Sequence, residues 1–185
     1  MNSLAMLADE VGVNERTLRR AVAQGTLRAA RPSPRMLRLA LSERHYARRN
    51  WSLLSQLRQA LRTEHNVRLA VLFGSAARGT DTAGSDVDVL VGLRDADLRR
   101  VVDLSAKLTA LAGRAVDVVR LEDARVEPSF LDEVATDGRV LIDRDAQWPA
   151  LRRAEGELRD EDRRGQSART RAALAGIDRL LEGRG

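Results

Sequence analysis

The chain has 185 residues, enough for one domain or two small ones, and 43% of them are hydrophobic, an ordinary share for a globular core. It contains no cysteine, which excludes disulfides, thiolate metal sites and a cysteine nucleophile. It also lacks an apolar run of about 18 residues and a signal peptide, so we expect a cytoplasmic protein with no membrane partner.

The net charge of +5 is unevenly distributed along the chain. Residues 1–65 carry 12 arginines and five acidic residues, a net charge of +7, whereas residues 66–185 carry 20 basic and 22 acidic residues, a net charge of −2. Such asymmetry indicates a module that faces nucleic acid, joined to a domain with a different task.

The first 41 residues predict two short helices and a hairpin. The helices, Leu4–Glu10 and Glu15–Ala23, are separated by a turn at Gly12. This pattern resembles the helix-turn-helix DNA-binding superfamily, and residues 28–41 resemble its wing. The candidate DNA contacts are Asn14, Arg16, Thr17, Arg19, Arg20, Arg31 and Arg35. The alternative is a helical adaptor whose arginines are merely solvated.

Residues 42–65 predict one long helix, capped by Ser42, that connects the two ends of the chain. Its apolar face recurs at helical spacing and consists of Tyr46, Trp51, Leu54, Leu57 and Leu61. The role expected for this helix is structural.

Apolar strands and helices alternate over residues 66–145, which predicts an α/β domain. The strand Val87–Val91 carries Asp88, and Asp86 comes directly before it, so the two acids stand at alternate positions and their side chains emerge on the same side. Two adjacent carboxylates repel each other unless a cation lies between them. Mg²⁺ fits best, because it combines a few carboxylate oxygens with substrate phosphates and water.

Two further features complete the candidate site. Gly74 and Ser75 end the preceding strand, where glycine lets the backbone approach a phosphate and the hydroxyl can donate a hydrogen bond to it. Asp117 stands alone in the valine-rich strand over residues 115–119. An acid in such a strand is costly unless it is paired or binds a metal.

The compound motif G-S-x10-D-x-D, followed by a strand with one more Asp, resembles the DNA polymerase β-like nucleotidyltransferases. With Arg78-Gly79 and Ser85 also in place, residues 67–143 resemble the minimal nucleotidyltransferases (MNT) in particular. The resemblance implies that two Mg²⁺ ions are held by the catalytic residues Asp86, Asp88 and Asp117. It also implies that ATP or another NTP is the substrate, with its phosphates bound by Gly74, Ser75, Arg78 and Ser85. For Arg78 the alternative is a salt bridge to Asp81 or another acid.

The resemblance leaves the acceptor hydroxyl open. Minimal nucleotidyltransferases commonly pair with HEPN ribonuclease toxins. The resemblance therefore implies a protein adenylyltransferase that transfers AMP from ATP to a tyrosine of the toxin. It also implies that this enzyme is an antitoxin, one that represses its own operon. One alternative is an adenylyltransferase acting on a small molecule of the aminoglycoside type. Another is a transcriptional regulator that senses nucleotide without turnover. A helix-turn-helix module usually reads a palindrome as a dimer, so we expect operator DNA as a partner and a homodimer.

We therefore expect an α/β (α+β) nucleotidyltransferase fold with a short mixed sheet flanked by helices. A small, mostly α-helical, winged helix-turn-helix domain precedes it, and a charged helical tail, with a helix over residues 168–181, follows it. The predicted divisions are 1–41, 42–65, 66–145 and 146–185. Residues 76–85 predict a mobile loop, and the helix over 97–111 predicts a core stripe of Leu98, Val101, Val102, Leu104, Leu108 and Leu111.

Overall fold

The computed structural model of the protein describes residues 4–33, 36–95, 97–154 and 156. The chain divides into two compact units, Met1–Trp148 and Pro149–Gly185. Most of the second unit, including the predicted helix over residues 168–181, lies outside the described residues. Within the described part, no helix has the length and the apolar composition needed to cross a membrane.

Two helices and a turn open the first unit. Helix α1 spans Leu4–Glu10 and helix α2 spans Glu15–Ala23, the bounds that the sequence predicts. Gly12 lies between them with a φ of +72°, a conformation that glycine adopts without strain. The Asn14 side chain caps α2 by accepting a hydrogen bond of 2.8 Å from the backbone nitrogen of Thr17.

A short hairpin follows the two helices. Strand β1 (Ala30–Ser33) pairs antiparallel with strand β2 (Met36–Arg38). All four residues of β1 are exposed, Arg31 among them. Arg35, predicted near the tip, lies outside the described residues. The hairpin occupies the stretch in which the sequence predicts a wing.

Helix α3 spans Leu41–Thr63. It begins one residue before Ser42, so the predicted cap is wrong: Ala40 is the N-cap and no side chain caps this end. The predicted apolar face is confirmed, because all of the side chains that define it are buried: Tyr46, Trp51, Leu54, Leu57 and Leu61.

Four strands form the central sheet in the order β5-β4-β3-β6. Their bounds are Val67–Phe73 for β3, Val87–Leu93 for β4, Val116–Arg120 for β5 and Arg139–Asp143 for β6. Strand β3 is antiparallel to both β4 and β6, whereas β4 and β5 are parallel. The two inner strands are the apolar runs of the sequence and are almost wholly buried. This mixed sheet flanked by helices confirms the predicted class of fold.

Further helices of the first unit include α4 (Gly74–Arg78), α5 (Leu98–Ala112), α6 (Leu121–Ala124) and α7 (Pro128–Asp137). The predicted core stripe of α5 is wrong in part. Leu104 and Leu108 are buried, but Leu98, Val102 and Leu111 are 64%, 66% and 46% exposed. The described elements cover only one side of α5, and the apolar pattern continues onto the side that faces solvent.

Hydrogen bonds join the N-terminal helices to the sheet. The Gly25 carbonyl accepts a bond of 3.2 Å from the backbone nitrogen of Val140, and the Thr26 hydroxyl donates a bond of 2.6 Å to the Val140 carbonyl. Since β6 is an outer strand, these bonds occupy its outer edge. Contacts therefore do not divide the first unit at the predicted boundaries, and the boundary in the structure follows Trp148.

Candidate active site

Three aspartates meet where β4 and β5 begin. Asp88 on β4 is in register with Asp117 on β5, and residues in register on parallel strands extend to the same face of the sheet. Asp86 lies two residues before Asp88, on the same side of the chain. Asp86 and Asp117 are exposed, and Asp88 is half-buried. The structure thus brings together the three acids that the sequence analysis selects.

The electrostatics of Asp88 reflect these neighbours. The pKa of Asp88 is raised, first because the side chain is partly buried and next because Asp117 and Asp86 are negatively charged. Arg78 lowers this pKa, which places a cation within electrostatic reach of the carboxylate. The three carboxylates repel one another, so the site favours a bound cation.

Gly74 brings the backbone against the Asp88 carboxylate. The residue follows the last position of β3 with a φ of +68°, which favours glycine. A Cβ atom built on Gly74 would collide with Asp88 Oδ2. The peptide that joins Gly74 to Ser75 therefore lies beside the acids, as a turn that binds phosphate next to a cation requires.

These acids suit a Mg²⁺ ion whose coordination is completed by phosphates. Within the described residues, no group of three or more histidine or acidic side chains is arranged to hold a metal by itself. Mg²⁺ commonly uses one or two carboxylates and completes its octahedron with water and substrate phosphates. The raised pKa of Asp88 is the observation that fits, because a cation would relieve the repulsion that Asp117 and Asp86 exert on this carboxylate.

Arg78 is paired with acids of α7. Its Nη1 donates a hydrogen bond of 2.8 Å to Glu133 Oε1 and lies 3.5 Å from Asp137 Oδ2. The partner is thus an acid other than Asp81, in agreement with the alternative that the sequence leaves open. Because Arg78 also acts on Asp88, it lies at the border of the site, and phosphate binding by Arg78 stays a prediction.

Two arginines that sequence reasoning missed fix the loop between α4 and β4. Arg114 forms an ion pair of 2.8 Å with the buried Asp81 and donates a bond of 3.3 Å to the Ser85 carbonyl. Arg49 donates a bond of 3.2 Å to the Gly79 carbonyl. Sequence reasoning had no signal for these contacts, because the partners lie 29 and 30 residues away along the chain. The stretch over residues 76–85 contains the end of α4 and a segment bonded to both arginines, and its mobility stays a prediction.

The candidate DNA contacts lie on other elements. Arg16, Thr17, Arg19 and Arg20 are exposed on α2, and Arg31 is exposed on β1. Asn14 uses its side-chain oxygen to cap α2, and Arg19 forms an ion pair of 2.5 Å with Glu15. These residues lie on or beside α2 and β1, whereas the three acids lie where β4 and β5 begin. The predicted site residues therefore form two separate sets.

Solved structures with a similar fold include two crystal structures of toxin–antitoxins. One, described as a toxin-antitoxin with AMP-PNP, has a TM-score of 0.51 and 23% identity, covering 65% of this chain and 98% of that chain. The other, a mutant of the toxin-antitoxin MntA-HpeT, has a TM-score of 0.51 and 21% identity over the same shares. At these identities the likeness shows the fold alone.

Sequence comparison assigns the family. Residues 55–147 match the family model "Polymerase beta, Nucleotidyltransferase". A relative from Methanocaldococcus jannaschii, "Putative protein adenylyltransferase MJ0604", is 35% identical over 88 residues, and the match covers 44% of this chain and 87% of the relative. The range 55–147 that the family model matches contains all three aspartates and the Gly74 turn. The chain therefore belongs to the polymerase beta family of nucleotidyltransferases.

Proposed function

We propose that the protein is an antitoxin of the MNT type that acts in the cytoplasm. It transfers AMP from ATP to a tyrosine hydroxyl of a partner HEPN toxin. The observation that carries the proposal is the Gly74 backbone held against Asp88, with Asp86 and Asp117 beside it. The name of the archaeal relative supports protein adenylyltransfer, and the AMP-PNP complex supports an adenine nucleotide as substrate.

The proposal gives each residue a role. The Gly74 backbone and the Ser75 hydroxyl donate hydrogen bonds to the β- and γ-phosphates. Two Mg²⁺ ions would be held by Asp86, Asp88 and Asp117. The ions would neutralise the negative charge of the phosphates. The acceptor oxygen forms a bond to the α-phosphorus while the bond from that phosphorus to the leaving oxygen breaks, so pyrophosphate leaves. Asp117, which is exposed at the start of β5, has the proposed role of orienting the acceptor hydroxyl and taking its proton.

The test uses ATP labelled at the α-phosphate, Mg²⁺ and the product of the neighbouring gene. We expect label on a tyrosine of that protein, and we expect Asp88→Asn to lower the rate by at least about 10²-fold. Asp103→Asn, on an exposed position of α5, is the control. A parallel reaction contains an aminoglycoside in place of that protein. Label on the aminoglycoside would support the alternative of a small-molecule adenylyltransferase. ATP binding without transfer, accompanied by nucleotide-dependent DNA binding, would support the regulator.

We also propose that the N-terminal helices and hairpin bind operator DNA, as a homodimer, and repress the operon. The observation that favours this second function is the row of exposed arginines on α2 and β1, away from the acidic site. Arginines in such positions bind phosphates and guanine edges. The homodimer is tested by the mass of the purified protein in solution.

A further inference from the structure

A buried arginine joins three parts of the first unit. The Arg139 side chain, on β6, is 3% exposed. Its Nη1 and Nη2 donate hydrogen bonds of 2.6 and 3.0 Å to the two carboxylate oxygens of Glu43 on α3. Nη1 also donates a bond of 3.3 Å to the Thr26 carbonyl, which follows α2. A charge buried to this degree is costly unless all its donors are used, and here most of them are.

The remaining bonds of this cluster hold α4. Arg139 Nε donates a bond of 2.6 Å to the Ala77 carbonyl. The Tyr46 ring stacks on the guanidinium, with its centroid 3.4 Å from Cζ, and the Tyr46 hydroxyl donates a bond of 3.1 Å to the Ala76 carbonyl. Burial raises the pKa of Tyr46, so the hydroxyl stays protonated and can donate. The last carbonyls of a helix lack partners within the helix, and here Arg139 and Tyr46 supply them.

The two ends of α4 are thus fixed by different groups. The helix has only five residues, Gly74–Arg78, so a tilt at its end also moves its start. Its start lies against the Asp88 carboxylate, and the residue after its end, Gly79, also lies close to a side chain. A Cβ atom built on Gly79 would lie 2.9 Å from Tyr46 Cδ2.

We infer that Arg139 and Tyr46 are positioning residues for nucleotidyl transfer, because they set the distance between the Gly74 turn and Asp88. This inference rests on the proposed function. Errors of about 1 Å in the placement of a reacting group reduce rates by up to about 10²-fold. Loss of one of the two bonds to α4 is therefore expected to weaken nucleotide binding and transfer without unfolding the protein.

A purely structural role predicts something different. In that case the Arg139–Glu43 ion pair only joins the N-terminal segment to the sheet, and its loss lowers stability without affecting the site. Tyr46→Phe separates the two roles, because it keeps the ring on Arg139 and the ion pair, and removes only the bond to the Ala76 carbonyl. Thr63→Val is the matched control, since Thr63 lies on the same helix and its hydroxyl also donates to a backbone carbonyl, that of Ala60, at 2.8 Å.

The experiment measures ATP affinity in the presence of Mg²⁺, the kcat and KM of transfer, and amide hydrogen exchange over residues 74–80, well below the melting temperature. For Tyr46→Phe and Arg139→Lys we expect a fall of about tenfold in ATP affinity and in kcat/KM, with faster exchange over these residues. For Thr63→Val, the ATP affinity, the kcat/KM and the exchange rates over residues 74–80 should stay within about twofold of the wild type.

Two results would overturn the inference. If Tyr46→Phe melts at a lower temperature but keeps its ATP affinity, kcat/KM and exchange over residues 74–80, the cluster is structural only. If the wild-type protein binds no ATP, the proposed function fails, and the inference fails with it. Arg139→Lys shows whether charge alone suffices, because lysine lacks the planar fork that bonds Glu43 and the Ala77 carbonyl together.

Discussion

Gly74 is a glycine for two separate physical reasons, a left-handed backbone and the absence of room for a side chain. Two other glycines of the first unit separate these reasons. Gly113 has the same φ of +68° with open space around it. Gly84 has open space and no positive φ. The three positions therefore distinguish backbone strain from contact with the Asp88 carboxylate.

Alanine at each of these glycines gives the first prediction. Gly74→Ala should lose about 1–2 kcal/mol of folding free energy from strain, and about 10²-fold in transfer rate from displacement of Asp88. Gly113→Ala should show the same loss of stability, of about 1–2 kcal/mol, with its activity kept. Gly84→Ala should change neither the folding free energy nor the transfer rate. Denaturant titration and the labelled-ATP assay measure these effects, and equal activity losses at Gly74 and Gly113 would contradict the role of the Asp88 contact.

The raised pKa of Asp88 gives a prediction about pH. An acid whose pKa is raised on folding favours the folded state fully below its usual value of 3.8, and loses that contribution as the pH rises through the raised value. Above this range the ionised Asp88 destabilises the fold, so Asp88→Asn should melt at a higher temperature than the wild type in EDTA. The difference should shrink as the pH falls towards 3.8. Melting curves from pH 3 to 8, with Asp103→Asn as the control, measure it; a difference independent of pH would refute the account.

Among the elements, α2 carries the clearest prediction for DNA binding. Arg16 and Arg20 are exposed there, whereas Arg19 is paired with Glu15. The double variant Arg16→Ala/Arg20→Ala should weaken binding to the upstream DNA of the gene and lower the salt slope by about 0.9 for each DNA phosphate that the protein no longer neutralises. Transfer should be unchanged.

The double variant Arg99→Ala/Arg100→Ala, which changes two exposed arginines on α5, is the matched control for charge. Binding curves at several salt concentrations provide the measurement. If the control weakens DNA binding as much as the double variant, net charge and not the α2 surface is responsible.

At the scale of single elements, local sequence signals predicted most of the helices and strands. The Asn14 cap and the Gly12 turn are encoded next to the helices they delimit, so the bounds of α1 and α2 could be predicted. For α5 the apolar periodicity predicted a wider buried stripe than the structure has, because periodicity does not tell which neighbours cover a helix. The three aspartates could be predicted because strand alternation fixes their faces. The Arg139–Glu43 pair could not, since 96 residues separate its members.

For the whole molecule, the contacts between the N-terminal segment and the sheet predict that residues 42–185 are less stable without that segment. Deleting residues 1–41 removes the Gly25 and Thr26 bonds to Val140 and the Thr26 carbonyl that accepts from Arg139. We expect the truncated protein to be less stable by roughly several kcal/mol, and to unfold at lower denaturant concentration, because a buried charge is deprived of a partner. Its transfer activity should fall as well. A truncated protein with wild-type stability and activity would contradict this expectation and support the predicted modular division.

The bonds that join Gly25 and Thr26 to Val140 have one more consequence, for how the protein behaves in a crowded solution. An outer strand with free backbone groups is a template onto which other chains can add, and natural proteins cover such strands. Here the N-terminal segment provides the cover for β6. A protease cut after Thr26 that releases the N-terminal piece would therefore expose the outer edge of β6. The cleaved protein should then self-associate through this edge and aggregate, whereas the intact protein stays dispersed.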